Sequence, residues 1–183
     1  MKSIVRVFLL GILAVGVASC SLFDVEFDTT FEGDLLIEVD EPVMKSTAFE
    51  GYPFEASDQI DVLDDEDVYE YQDKIDDFIV SGVTVSVTSV TPSQGVELLA
   101  GTEFIITNGA RTATWTLESN MPIGVGTSQN LEDLGKIYDT VNAILDDMKP
   151  FTVSAVGHTN VAPVSAILRL GINTKVIANP LNK

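Results

Sequence analysis

The sequence predicts a mainly β protein, an antiparallel β-sandwich (immunoglobulin-like or similar) with two amphipathic helices. Most segments alternate apolar and polar residues, which is the pattern of antiparallel strands with one solvated face. Two segments instead repeat apolar residues at helical spacing. The chain has 183 residues, 45% of them apolar, and a single cysteine. A chain of this size buries enough surface to be stable, and one cysteine excludes internal disulfides.

The first predicted strand shows the strictest alternation. Over residues 22–31 one face carries apolar side chains and one threonine, namely Phe23, Val25, Phe27, Thr29 and Phe31. The pair Gly33-Asp34 indicates a kink, after which the alternation resumes through Val39, so this region is either one bent strand or a hairpin. Pro42 ends it, because proline cannot donate to a β-ladder. A further strand is predicted at 45–50, followed by a loop.

Residues 64–79 change to helical spacing. The apolar face of this segment consists of Val68, Tyr71, Ile75, Phe78 and Ile79. The acids that crowd its start complement the positive end of a helix dipole. Gly82 is predicted to end the helix, and a strand is expected over 83–90.

The dipeptide Asn108-Gly109 predicts a β-hairpin, because both residues accept the positive φ that a two-residue type I′ turn requires. Such a turn fixes three strand pairs: Ile106 with Arg111, Phe104 with Ala113, and Thr102 with Trp115. One face of the hairpin is then apolar and is expected in the core; it consists of Phe104, Ile106, Ala113 and Trp115.

A second helix is predicted over 130–148, with Asn130 as its N-cap and Asp133 in the capping-box position. Pro150 ends it. A strand over 151–155 and a turn over 157–163 follow. The last predicted strand, 164–176, is long and alternates strictly, and Gly171 is expected to introduce a bulge or bend.

The N-terminus has the features of a secretory leader. Lys2 and Arg6 precede an apolar run of 11 residues, 7–17. A transmembrane helix needs about 20 residues, so the run fits the apolar core of a signal peptide instead. It ends in small residues before the only cysteine, in the order Val17, Ala18, Ser19 and Cys20. This pattern resembles a bacterial lipobox, although an ordinary signal peptide with a nearby cysteine is the alternative.

The lipobox resemblance implies a domain organisation and an address. Residues 1–19 form the signal peptide, and 20–183 form one mature domain whose new N-terminal Cys20 is diacylated on sulfur and then N-acylated, typically with palmitate. More than one acyl chain anchors a soluble domain durably. Ser21, rather than aspartate, follows the cysteine, which in the sorting rule of enterobacterial lipoproteins favours the outer membrane. Whether the protein faces the periplasm or the cell surface stays open.

The chain is acidic, with a net charge of −18 and a pI of about 4.1. Nucleic acid is therefore not an expected partner, since phosphate binding requires a basic surface. The acids concentrate in residues 20–77, which carry 20 acids and two bases. We expect this acidic N-terminal part to be repelled by anionic lipid. The expected partners are the membrane, through the anchor, and an envelope protein.

Several runs resemble those of small lipoproteins of Bacteroidota, especially of the flavobacterial type. The runs are Asp58-Gln59-Ile60-Asp61-Val62, Asp64-Asp65-Glu66-Asp67-Val68, Tyr71-Gln72-Asp73-Lys74-Ile75, Val83-Thr84-Val85 and Thr174-Lys175-Val176-Ile177-Ala178-Asn179-Pro180-Leu181. The resemblance covers most of the mature chain, but its motifs are structural. It implies a β-sandwich of the cell envelope and no particular activity.

The residues offer little catalytic chemistry. His158 is the only histidine, no Gly-x-Ser-x-Gly motif is present, and a lipidated Cys20 cannot act as a nucleophile. We therefore expect no catalytic residue and no cofactor. A calcium site is conceivable at Asp61, Asp64, Asp65 and Asp67, because calcium prefers oxygen ligands. The calcium-loop spacing is missing, however, and a solvated loop leading into a helix is favoured.

These expectations favour a lipid-anchored envelope protein that is a non-enzymatic binding or structural module and presents loops or an edge strand to a partner. One alternative is a carrier of a small apolar ligand, which requires a void between the sheets near Phe104 and Trp115. The less favoured alternative is a cell-surface hydrolase, which requires His158 within hydrogen-bond reach of a serine and an aspartate.

Overall fold

The computed structural model describes residues 24–40 and 51–181, which form two packed antiparallel sheets and two α-helices. This confirms the predicted mainly β sandwich with two helices. In chain order the elements are β1 Val25–Val39, β2 Tyr52–Ile60, a 3-10 turn Val62–Asp64, α1 Glu66–Tyr71, β3 Ile75–Thr91, β4 Glu97–Leu98, β5 Glu103–Thr107, β6 Thr112–Thr116, β7 Met121–Pro122, β8 Ser128–Leu131, α2 Ile137–Leu145, β9 Phe151–Thr159 and β10 Val164–Ala178.

The first sheet has the order β1-β10-β3-β8. β1 pairs with β10 in one continuous register, from Val25 opposite Ala178 to Val39 opposite Val164. The region 25–39 is therefore one strand and not a hairpin. In the second sheet β9 pairs with β2 along one edge and with β5 and β4 along the other, while β6 extends the sheet beyond β5 and β7 pairs with β4.

The core lies between the two sheets. The predicted inward face of β10 is confirmed, because its members Val164, Ala166, Leu168, Leu170, Ile172, Thr174 and Val176 are all buried. Gly171, however, pairs regularly with both Glu32 and Thr84, so the bulge predicted at this glycine is wrong. The irregularities lie on β3 instead, where Asp76, Ser81 and Thr88 are the extra residues at three register shifts.

The helix predicted over 64–79 is only partly correct. α1 ends at Tyr71, and residues from Ile75 onward belong to β3, which also passes through Gly82. The bulges explain the error, because each extra residue turns a spacing of two into a spacing of three. Within the predicted helix, Ile75 and Phe78 are three apart for this reason, since Asp76 is an extra residue, and such a spacing imitates a helix.

The second predicted helix is shorter than expected. Asn130 lies in β8 and is not the N-cap of α2, which begins at Ile137. Gly135 and Lys136 both have a φ of 68°, in the left-handed region, and this turn separates the strand from the helix. Asp133 supplies the cap, since its carboxylate accepts a hydrogen bond from the N–H of Tyr138.

The predicted hairpin forms with a different register. The loop has four residues, 108–111, and Phe104 faces Trp115, not Ala113. Gly109 has a φ of 84°, but Asn108 uses its side-chain oxygen to accept the N–H groups of the two residues that close the loop. The shift of two residues preserves the faces, so the four predicted core residues are buried as expected.

Residues 52–60, predicted to be a loop, form β2. Its alternation was obscured by Gly51 and Pro53, but Phe54, Ala56 and Ile60 are buried. β9 continues to Thr159, into the predicted turn 157–163. The strand expected at 45–50 and the whole leader, including Cys20, lie outside the described residues.

One end of the sandwich carries both helices and is called the helical end; Val25, Ile75 and Ala178 mark it. The ring of Tyr71, at the end of α1, lies 5.9 Å from that of Phe27. From α2, Asn142 accepts the N–H of Val80 at 2.7 Å. Among the helices in the described residues, none has the length and apolar character needed to cross a bilayer.

Candidate binding cleft

The two sheets end in contact with each other on one flank, at β1 and β2. We call this flank the closed corner; it is defined by Gly33, Asp34, Asp58 and Ile60. The N–H of Asp34 donates to the Asp58 carboxylate at 2.9 Å. A Cβ added to Gly33 would lie 2.6 Å from Cγ2 of Val153, in the opposite sheet, so only glycine lets the strands approach this closely.

The closed corner is also tied by charge. Arg169, on β10, donates to both Asp34 carboxylate oxygens at 2.8 and 3.0 Å, and its third nitrogen lies 3.2 Å from Glu32. This bidentate hydrogen bond from Arg169 holds the pKa of Asp34 below its ordinary value of 3.8, against a smaller opposing effect of burial.

On the opposite flank the sheets end at β6 and β8, and they do not meet. Between these two strands lies a cleft of about 680 Å³, which we call the edge cleft. Its apolar lining consists of Trp115, Leu117, Leu131, Leu134 and Ile137, and its acidic lining of Glu118 and Glu132. Leu134 is 60% exposed and adds accessible apolar surface to the cleft beside Trp115.

Three hydrogen bonds of side chains order the residues around the edge cleft, and one of them joins its two walls. The indole N–H of Trp115 donates to the carbonyl of Glu132 at 2.9 Å. The hydroxyl of Tyr138 donates to the carbonyl of Leu131 at 2.7 Å and accepts the N–H of Val83 at 3.2 Å. The Tyr138 hydroxyl thus binds both strands at Val83 and Leu131, the last pair of the β3–β8 ladder.

The foot of this flank, at the C-terminus of α2, combines several charges. Partial loss of solvent and the neighbouring charge of Asp77 raise the pKa of Asp146 above its ordinary value of 3.8. Asp146 also lies at the negative end of the helix dipole, without a basic residue in the last turn. Asp147 is compensated, because Asn108 and Arg111 of the hairpin loop both donate to its carboxylate.

His158 lies on β9, opposite Pro53, and not in a turn as expected. Its side chain is exposed on the outer face of the second sheet. It borders a groove of about 480 Å³ together with Glu55 and Glu103. In the described part of the chain, no side-chain hydrogen bond joins His158 to a serine or an aspartate.

Two of the four aspartates considered for a calcium site, Asp61 and Asp65, accept hydrogen bonds from backbone N–H groups. Asp61 accepts the N–H of Leu63 and caps the 3-10 turn. Asp65 caps α1 and also accepts the hydroxyl of Thr29. Asp64 and Asp67 are exposed. Within residues 24–40 and 51–181, no group of three or more histidine, cysteine, aspartate or glutamate side chains is arranged to hold a metal ion.

The predicted lipidation site and lipobox, at Val17, Ala18, Ser19 and Cys20, fall outside the described residues. The edge cleft itself was not predicted. Trp115, which was assigned to the core, is only 5% exposed and also borders the cleft. The sequence feature that could have indicated the cleft is the absence of charged residues from β6 and β8. This absence is informative only once both segments are known to be edge strands.

Comparisons with known proteins add little. No family model matches the chain, and no curated protein matches it either. Among solved structures, the chain is similar to one from Desmodium yellow mottle tymovirus, with 9% sequence identity and a TM-score of 0.32, over 87% of this chain and 91% of that one. A likeness this distant carries no functional argument.

Proposed function

We propose that the protein is a lipid-anchored component of the cell envelope, held in the outer membrane through Cys20, and that it is a non-enzymatic binding module. The observation that carries the binding role is the edge cleft, which lies on the flank opposite the closed corner and has apolar and acidic walls. Exposed apolar surface in a defined cleft is typical of an interaction site.

The position of the first strand supports the anchor. β1 begins at Val25, five positions after Cys20. Five extended residues reach at most about 17 Å, so the acyl chains would hold the helical end close to the lipid headgroups. The edge cleft runs along the side of the sandwich and would remain open to a partner.

The charges of the helical end limit how closely it would approach the bilayer. Exposed acids there include Glu26, Asp28, Glu70, Asp73 and Asp77. Anionic lipid would repel them, so the body would stand off from the bilayer and not lie flat on it.

Metabolic labelling with a palmitate analogue tests the anchor. We expect the wild-type protein to be labelled and to sediment with outer membranes. The matched Cys20→Ser variant should be unlabelled and should leave the membrane fraction, because no acyl chain remains to hold it. Equal labelling of the two proteins, or no labelling of either, would contradict the proposal.

A carrier of a small apolar ligand is the second candidate, favoured by the exposed Leu134 beside Trp115 in the edge cleft. Titration with an environment-sensitive fatty acid tests it. Saturable binding that is lost in Leu134→Glu would support the carrier, since a charge on the apolar wall excludes an aliphatic chain. Binding that is unaffected by this substitution would contradict it.

A further inference from the structure

No strand of the described residues pairs with the outer edge of β6, which presents its backbone groups to the cleft. Leu117 donates its N–H to the Thr102 carbonyl, and Asn108 donates its N–H to the Arg111 carbonyl, in the register of the β5–β6 pair. In an antiparallel pair the hydrogen-bonded positions alternate. The N–H and C=O groups that point away from β5 are therefore those of Thr112, Thr114 and Thr116.

The residues of β6 include none of those that usually protect an edge strand, although α2 packs beside this strand. Natural edge strands carry lysine, proline or inward-pointing charges, or are covered by another element. β6 reads Thr-Ala-Thr-Trp-Thr and β8 reads Ser-Gln-Asn-Leu, with no charged residue or proline in either. β2 differs, because it contains Pro53, Glu55 and Asp58 and is also covered by β1.

The walls of the edge cleft define the chemistry of an added strand. One side is apolar, with Leu131, Leu134 and Ile137, while Glu118 and Glu132 supply negative charge. Among the described residues that line the cleft, none is a lysine or an arginine. An added strand with alternating side chains would place its apolar groups against Leu131, Leu134 and Ile137. Its basic groups would lie near Glu118 and Glu132.

We infer that the edge cleft binds an extended basic segment of a partner protein, which adds to β6 as a new antiparallel or parallel strand. The inference rests on the proposed binding role and names its site and the class of partner. Charge complementarity selects a basic partner, and it disfavours a second copy of this chain, which carries −18 itself. The added strand receives main-chain hydrogen bonds from Thr112, Thr114 and Thr116.

The chain contains its own reporter for a binding experiment. Trp115 is the only tryptophan, and it borders the edge cleft. The full acylated protein in detergent micelles is titrated with a synthetic peptide of about eight residues that alternates valine and lysine, enough to span β6. We expect a saturable change in tryptophan emission. The same peptide with N-methylated amides on one edge should not bind, because it cannot form the ladder.

Two variants test the two parts of the interaction. Thr114→Pro removes an outward N–H without breaking a bond to β5, and it should weaken binding at least about tenfold. The double variant Glu118→Gln, Glu132→Gln should weaken binding by about tenfold through loss of charge. The matched control, Glu55→Gln with Glu103→Gln, makes the same charge change on the outer face of the second sheet and should bind like the wild type.

Three binding results would overturn the inference. They are equal binding of the N-methylated peptide, equal binding by Thr114→Pro, and equal loss of affinity in the matched control, which would indicate non-specific charge attraction. Self-association through the cleft, seen as a dimer by sedimentation in wild type and as a monomer in Thr114→Pro, would also overturn it. The Cys20→Ser protein should bind the peptide normally, so failure of the anchor and failure of the cleft are distinguishable.

Discussion

The two flanks of the sandwich end the same pair of sheets in opposite ways. At the closed corner β1 and β2 contact each other, with a glycine for close approach and a backbone N–H of Asp34 donated to Asp58. At the edge cleft β6 and β8 do not pair, and the indole of Trp115 joins the β6 wall to Glu132 while the hydroxyl of Tyr138 bonds the first sheet at Leu131 and Val83. A sandwich whose edges are satisfied on one flank can leave the other available, and this asymmetry indicates where a partner would add.

The charges follow the same division. At the closed corner a bidentate arginine lowers the pKa of Asp34, so its ionised form stabilises the fold. Beside the foot of the open flank, lost solvent and Asp77 raise the pKa of Asp146, so its ionised form destabilises the fold. The ionised carboxyl group of Asp146 thus opposes folding, whereas that of Asp34 supports it.

Two proline substitutions, one on each flank, should show the largest difference in the free energy of unfolding. Asp34→Pro removes the N–H that binds Asp58 and the ion pair with Arg169, and it should lower the free energy of unfolding by about 3 kcal/mol. Thr114→Pro removes an N–H that faces the cleft and should cost less than about 1 kcal/mol. Urea denaturation followed by circular dichroism measures both.

Asp34→Ala is the control for the first variant, because it keeps the backbone N–H and loses only the exposed ion pair, at an expected cost below about 1 kcal/mol. If the two prolines lowered stability equally, the flanks would be equivalent in energy and the comparison would fail.

A pair of alanines tests the close approach at the closed corner. Gly33→Ala places a Cβ against the buried Val153 and should destabilise the protein by about 2 kcal/mol, since overpacking forces the sheets apart. Gly82→Ala is the matched control in another strand, where the nearest atom is 3.6 Å away. It should leave the midpoint of thermal unfolding unchanged or slightly raised. If Gly33→Ala left the stability unchanged, the two sheets would be shown to move apart at the closed corner without a measurable cost.

The closed corner illustrates what could be predicted from the sequence. Strict alternation identified the faces of β1 and β10, and the even shift in the β5–β6 register kept Phe104 and Trp115 inside. Three bulges disturbed the alternation of β3, and its first residues resembled a helix. The edge cleft was beyond prediction, because the order of strands in a sheet decides which edges are free, and alternation within a strand does not report that order.

Removing one hydroxyl tests how firmly the open flank is tied. Tyr138→Phe deletes the group that bridges Val83 and Leu131, and it should lower the free energy of unfolding by about 1.5 kcal/mol. It should also speed amide hydrogen exchange in β8 more than in β1. Tyr69→Phe, on an exposed tyrosine of α1, is the matched control and should change neither quantity. Unchanged exchange in β8 would mean that this hydroxyl does not hold the flank.

The smallest expected effect concerns pH. A raised native pKa gives Asp146 a penalty that is absent below its ordinary value of 3.8, grows as the pH rises through its native pKa, and is complete above it. Asp146→Asn should therefore raise stability slightly at neutral pH and flatten its dependence on pH just above 3.8.

For Asp34 the sign is opposite, because its lowered pKa gives a stabilisation that is complete above 3.8 and is lost as the pH falls through the native value. Asp34→Asn should lower stability at neutral pH and reduce the acid sensitivity below 3.8. Melting curves of both variants across acidic and neutral pH compare the two carboxyl groups directly. Shifts of the same sign at neutral pH would show that charge does not distinguish the closed corner from the foot of the open flank.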